Sequence, residues 1–302
     1  MQRPRFIAIV FLLALAGTSY AQQSPPAMSK PRGVLLWKAT SPTTTAYLRG
    51  SIQVGDHKLY PLPASVEAAF RAAKILIVEV NAKDMDAAKT MGMVAKYGMY
   101  GPDDALSKHI DKETAASLDA YCSAHSLSRR TLEQLKPWVV AITVVATAMK
   151  QAGEDPNLGI DMHFLNAVKP AQHIAELETA DFQLSLLASA TDQEQQEMLK
   201  STLRQSDKAK DYLEKMETAY LAGDSETLLR LIHEQDAGPA SLMKKLVDDR
   251  NISMTASLEK YLKGAEPCFV VVGAAHLIGE HGMVKLLQNR GYRVEPVGPA
   301  AP

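Results

Sequence analysis

The chain has 302 residues, 46% of them hydrophobic and 22% charged, with a formal net charge of −1 and two cysteines, Cys122 and Cys268. That length can bury a substantial core, either as one large α/β domain or as two lobes. The near-neutral charge gives no electrostatic case for nucleic acid or an anionic membrane as partner, and neither cysteine lies in a CxxC motif.

Arg3 and Arg5, an apolar run from Ile7 to Ala16, and Ser19 and Ala21 on either side of Tyr20 form a secretory signal with its cut expected after Ala21. The apolar run is too short for a comfortable bilayer span, and no cysteine follows to accept lipid. The expected product is therefore periplasmic or secreted, with no stable membrane span. Residues 22–33, rich in Ser, Pro and Gln, read as a flexible leader. The folded domain is expected over 34–298, with a helical insertion around 83–263 and a disordered tail at 299–302.

Leu35 to Lys38 and Ala46 to Ile52 read as strands joined by a turn at Ser41 and Pro42. A loop holding Gln53, Gly55, Asp56 and His57 follows, then a helix from Ser65 to Lys74 with Val66, Ala69 and Phe70 at helical spacing. The strand Ile75 to Val80, ILIVEV, contains Glu79, a carboxylate that needs a partner or a site role to be tolerated there. Lys83 to Tyr100 is helical and carries Met85, Met91, Met93 and Met99, the residue type that fills core gaps and, less often, lines a pliable binding surface. Helices follow over Asp111 to His125 and from a cap at Ser128, and Pro137 to Lys150 reads as the buried central helix. Ile160 to Ala167 is a short helix begun by Asp161, a residue that suits the helix dipole or a substrate contact. His173 to Leu177 is a strand that Glu178 and Thr179 close. Asp192 to Gln235 is amphipathic and expected as a helical lid, with turns at Gly223–Asp224 and at Gly238–Pro239. Arg250 and Asn251 lie in a helix running to Lys263, where Arg250 reads as half of a surface ion pair.

The last stretch, PCFVVVGAAHLIGEHGMVKLLQNRGYRVEPV from Pro267 to Val297, has a βαβ pattern. Cys268 to Val272 is an apolar run fit for a strand buried on both faces, and Gly273 breaks it. His276 is expected in a polar loop at the strand's carboxyl edge, where open α/β sheets place ligands. A helix from Gly282 to Asn289 and a strand from Tyr292 to Val297 complete it. The earlier stretch YLRGSIQV has the same layout, with Gly50 in the place of Gly273 and Gln53 in the place of His276.

LLWKAT, YLRGSIQVGD, YPLPASVEAAF and ILIVEV, followed in order by LKPWVV, LGIDMHFL, ELETADFQL, DDRN and VVGAAHLIG, resemble the TraB/GumN family, related to the TIKI proteins. The resemblance spans nearly the whole mature chain. It implies an α/β fold built from two related strand–loop–helix–strand halves with a helical cap, and a paired GxxH signature of which the first copy here is GxxQ. It also implies a metal-dependent, peptidase-like hydrolase, with Glu79, Arg250 and His276 catalytic and Asp161, Glu178 and Asn251 contacting substrate. A divalent ion, Mn, Co or Zn, would take Glu79, His276 and the weaker amide oxygen of Gln53 as ligands, with His57 as the candidate substitute and Gly50 and Gly273 shaping the site. The chain carries no HExxH, Walker or GxSxG motif. Two further readings stand beside the hydrolase: a non-catalytic binding protein for a peptide or glycan, linked to envelope or exopolysaccharide processes, that lost its metal with the change to Gln53, and a haem- or cofactor-holding module.

Overall fold

The computed structural model describes residues 33–234 and 240–298. The signal, the leader up to Arg32, the tail and the turn expected at Gly238 and Pro239 lie outside them. Six strands, β1 (Leu36–Thr40), β2 (Thr45–Ser51), β3 (Ile75–Val78), β4 (His173–Glu176), β5 (Cys268–Gly273) and β6 (Arg293–Pro296), form one mixed sheet in the order β4-β3-β5-β2-β1-β6. β4, β3, β5 and β2 run parallel, whereas β1 is antiparallel to both β2 and β6. The apolar run CFVVVG explains the central place of β5, every residue of which is buried. At one edge, β4 leaves His173, Ile174 and Glu176 exposed.

Sequence neighbours in each βαβ stretch are not neighbours in the sheet. β5 lies between β2 and β3, and β2 and β1 lie between β5 and β6, so the two halves interleave. The register also departs from the expected equivalence of the glycines: Gly50 faces Val272 and Gly273 faces Ser51, a stagger of one residue. Glu79 falls just past the end of β3 rather than within it. The connection leaving β2 runs toward β3 and that leaving β5 runs toward β6, which makes the carboxyl ends of β2 and β5 the topological switch point.

Helix α1 (Ala64–Ala72) buries Val66, Ala69 and Phe70 at the spacing read from sequence. In α2 (Ala87–Gly98), Met91 is 72% exposed, and Met99 beyond it is exposed too, so these two do not fill a core. Next come α3 (Lys112–Ala124), α4 (Arg129–Leu132, capped by Ser128) and α5 (Pro137–Ala152). α6 (Ile160–Ala167) and α7 (Ala180–Ala188) flank β4 in sequence. The expected lid is α8 (Asp192–Gln205), α9 (Ala209–Ala222) and α10 (Ser225–Glu234), with the turn between the last two at Gly223 in the left-handed region. After α11 (Ala240–Met243) a π-helical segment, Lys244–Asp249, leads into α12 (Arg250–Leu262). His276 does not lie in a loop: it belongs to a one-turn helix, α13 (Ala274–Leu277), ahead of α14 (Met283–Asn289).

Among the described residues two large hydrophobic cores result, beside a small contact of Ala148 with Ala209. One surrounds the sheet, where Phe70, Phe164 and Phe269 meet with ring centroids 4.7 to 5.5 Å apart. The other is helical, formed around Trp138, Val140 and Val144 of α5 and Met198 and Leu199 of α8. Each fully buried side chain of this size contributes about 1.5–3 kcal/mol. Cys122 and Cys268 are free thiols buried in these cores, and burial pushes the Cys268 thiol up to about 11. Among the described residues, no helix is long and apolar enough to cross a membrane.

Candidate functional site

Four parallel strands end on the same edge, and the polar residues that follow them converge there. Parallel pairing continues one step beyond β3 and β4, with the Glu178 amide donating to the Glu79 carbonyl at 3.0 Å, so the two carboxylates leave the sheet side by side. Both are buried, which requires a positive partner. Arg250, the first residue of α12 and itself 4% exposed, supplies it. Its Nη2 reaches Glu79 Oε2 at 2.8 Å and Glu178 Oε2 at 2.7 Å, and its Nε donates to Glu178 Oε2 at 3.0 Å. Nη1 donates to the Leu246 carbonyl of the π-helical segment at 3.1 Å. Burial opposes the charge, but Glu79 and Glu178 together hold the guanidinium pKa above its usual value. A planar fork is the group that can serve two carboxylates at once.

Glu79 Oε1 accepts the Gly273 amide at 2.7 Å, so both of its oxygens are engaged by donors. His276 is fully buried, and its Nδ1 lies 2.6 Å from Asn251 Oδ1. The Asn251 amide nitrogen donates to the His281 carbonyl at 2.9 Å, which fixes that amide and assigns the imidazole proton to Nδ1. Nε2 faces Glu79 Oε1 at 3.8 Å. Burial, and then the Arg250 charge, push the imidazole pKa well below its ordinary value, so His276 is neutral. Gly50 allows the one-turn helix to lie close: a Cβ there would stand 3.3 Å from Ala274 Cα.

A second group of polar residues lies at the carboxyl end of β2. The Ser51 hydroxyl donates to Asp161 Oδ1 at 3.1 Å, while Oδ2 is shielded from solvent and has no hydrogen-bond partner among the described residues. Burial, and next the Glu79 charge, raise the Asp161 carboxyl to about 7. Gln53 is half-buried, and its Oε1 is likewise covered and without a partner among the described residues. Residues 51–53 run beside 159–161, with the Ile160 amide donating to the Ile52 carbonyl at 2.9 Å and a Cβ on Gly159 falling 2.2 Å from the Gln53 carbonyl.

Of the residues singled out in the sequence, Glu79, Glu178, Arg250, Asn251, His276 and Gly273 meet in one buried network, and Asp161 is near enough to feel the Glu79 charge. His57 does not join them, because it is exposed on the turn His57–Leu59. The proposed metal ligands do not fit an ion as folded. Glu79 is occupied by Arg250 and Gly273, Gln53 is a neutral amide, and among the described residues no three His, Cys, Asp or Glu side chains gather to hold a metal. Three contributors were missed. Gln183 of α7 donates to Glu178 Oε2 at 2.9 Å and to Glu79 Oε2 at 3.4 Å, a link with no local sequence signal. Ser51 and Arg49 share a face of β2, and the buried Arg49, its guanidinium 5.0 Å from the Tyr220 ring centroid, was visible only as a charge inside an apolar strand.

A family model described as the TraB/PrgY/gumN family matches residues 35–296, a span that contains every residue of this network. An uncharacterized protein YbaP of Escherichia coli (strain K12) is 26% identical over 244 residues, covering 80% of this chain and 87% of that protein. YbaP of Shigella flexneri is 26% identical over 245 residues, covering 80% and 88%. An uncharacterized protein of Treponema pallidum (strain Nichols) is 22% identical over 303 aligned positions, covering 94% and 91%. No solved structure matches significantly.

Proposed function

The chain belongs to the TraB/PrgY/gumN family, and from that premise we propose that it is an exported binding protein of the cell envelope, holding a peptide or glycan at the carboxyl edge of its sheet without a catalytic metal. One observation carries this reading: the carboxylates that a hydrolytic metal would need are already engaged by Arg250 and the Gly273 amide. The covered acceptors Asp161 Oδ2 and Gln53 Oε1 support a ligand rich in N–H or O–H donors, since an acceptor buried without a partner costs roughly 1–3 kcal/mol until something donates to it. Arg250, Glu178 and Gln183 hold Glu79 in one orientation, and Asn251 holds the imidazole of His276. The edge so formed is preorganised for a polar group.

A second reading, hydrolysis of the bound ligand, is favoured by the contrast between two carboxyl groups. Glu79 is held by cationic and amide donors, whereas Asp161 titrates near neutrality beside it. A carboxyl group that titrates near neutrality suits a general acid or base.

Thermal-shift measurements with a panel of short peptides and oligosaccharides, with and without a strong chelator, test the first reading. Stabilisation that persists in chelator and is lost in Asp161→Asn is the expected result. Stabilisation abolished by chelator, or absent across the panel, would overturn it.

A further inference from the structure

Away from the buried network, the turn that follows β2 is tied to the helical cap by a cluster of charged groups. Gly55 and Asp155 exchange backbone hydrogen bonds at 3.2 and 2.9 Å, which joins this turn to the end of α5. Lys58 Nζ lies 2.7 Å from Asp56 Oδ2 and 3.3 Å from Glu217 Oε2 of α9, so two carboxyl groups stand around one ammonium. They are also within hydrogen-bond reach of each other, a contact that two carboxylates cannot make without a proton between them. Burial opposes the charge of Asp56, but hydrogen bonds from Lys58 hold its pKa below the usual value. Burial, and then the contact with Asp56, raise that of Glu217, so the proton resides on Glu217. Its Oε1 is covered and accepts no hydrogen bond among the described residues. Burial, followed by the charges of Glu217 and Asp56, pushes the nearby Glu154 carboxyl up to about 7. Glu154 and Glu217 both line a cavity of about 20 Å³, room for one water, whose other walls include Ile52, Leu59, Leu213 and Met216.

We propose that Asp56, Glu217 and Glu154 form a proton-dependent clasp, which holds α9 against the carboxyl end of β2 in acid and loosens it as the protons are lost. One turn along α9 from Glu217, the Tyr220 hydroxyl donates to the Gly50 carbonyl at 2.7 Å, so this helix covers β2 just ahead of Ser51. With Glu217 and Glu154 ionised, three carboxylates face each other around the one Lys58 ammonium, and the contact between Asp56 and Glu217 turns from attraction to repulsion. Because both groups have folded pKa values above the ordinary 4.5, the stability they contribute is whole below that value and is lost as pH rises to about 7. Other charged groups around α9 stand apart from the clasp. Lys150 of α5 and Asp207 and Lys208 ahead of α9 are exposed, and Asp211, Glu214 and Lys215 face Asp224, Arg230 and Glu234 of α10 across a separate groove. The clasp does not depend on what the strand-end edge binds.

Amide hydrogen exchange of the purified chain at about pH 5 and about pH 8, corrected for the intrinsic exchange rate at each pH, tests this, with the amides of β5 as the reference for global opening. Protection of the α9 amides is expected to fall by about tenfold or more relative to β5 between the two conditions. Glu217→Gln keeps a donor for Asp56 but cannot ionise, so it should remove most of that fall and leave α9 protected at both pH values. Asp56→Asn, whose amide can donate to an ionised Glu217, should do the same and decides the matter if the first variant does not fold. Glu154→Gln should reduce the fall in part. Protection of α9 that changes no more than that of β5 in the wild type would overturn the inference, as would a fall that persists undiminished in Glu217→Gln or Asp56→Asn.

Discussion

Arg250 bridges two carboxylates with one planar group, so its removal leaves Glu79 and Glu178 as buried charges with no cation in contact among the described residues. Arg250→Met is expected to cost about 3–5 kcal/mol in urea denaturation, and combining it with Glu79→Gln and Glu178→Gln should restore part of that loss. Recovery would show that the penalty comes from stranded charge rather than from lost packing. Asp161 makes the opposite kind of prediction. Its folded pKa, raised to about 7 by burial and the Glu79 charge, exceeds the ordinary carboxyl value of 3.8, so the folded state binds the proton more tightly than the unfolded state. The stability this group contributes is greatest below pH 3.8 and is lost as pH rises to about 7. The gap between the folded and unfolded values corresponds to at most about 4 kcal/mol. Asp161→Asn should remove that pH-dependent component, seen as a smaller loss of stability between acid and neutral pH than in the wild type; identical pH profiles would contradict it. At this scale the sequence exposed Glu79 because it ends an apolar run, and Arg250 only through a family pattern. It could not expose their pairing, because 171 residues separate them and helix α12 has no local reason to point at β3.

Elements were legible wherever periodicity was strong. The run CFVVVG, the spacing of Val66, Ala69 and Phe70, and the proline at the start of α5 each appear as read. The order of strands was not legible: a βαβ pattern says that two strands run parallel, but it does not say that a third slips between them. The helical turn holding His276 was hidden for a related reason, since four residues are too few to show a period. The close approach of α6 to the end of β2 depends on Gly159, where a Cβ would meet the Gln53 carbonyl at 2.2 Å. Gly159→Ala is therefore expected to cost about 1–3 kcal/mol and to disturb the Ser51–Asp161 hydrogen bond. Gly101→Ala, with nothing within 4 Å of the new Cβ, should be close to neutral in the same melting experiment.

In the molecule as a whole, a sheet core and a helical core are built by different stretches of the chain, yet the site depends mainly on the first. Phe269→Ala in the sheet core and Trp138→Ala in the helical core should each cost about 3–5 kcal/mol. Only the former is expected to weaken ligand binding at a temperature where both variants remain folded, because Phe269 lies in the strand that ends at Gly273. The sequence indicated an α/β molecule with a large helical region, but the separation into two cores depends on which faces of α5 and α8 meet, information that is spread over distant segments. The central claim is that Arg250 and the Gly273 amide, and not a metal ion, engage the Glu79 and Glu178 carboxylates at the strand ends. Equilibrium dialysis of chelator-treated protein against manganese, cobalt or zinc, with bound metal counted per chain, tests it most directly. The account predicts well under one ion per chain with each metal, unchanged in Glu79→Gln; about one ion per chain in the wild type, lost in Glu79→Gln, would contradict it.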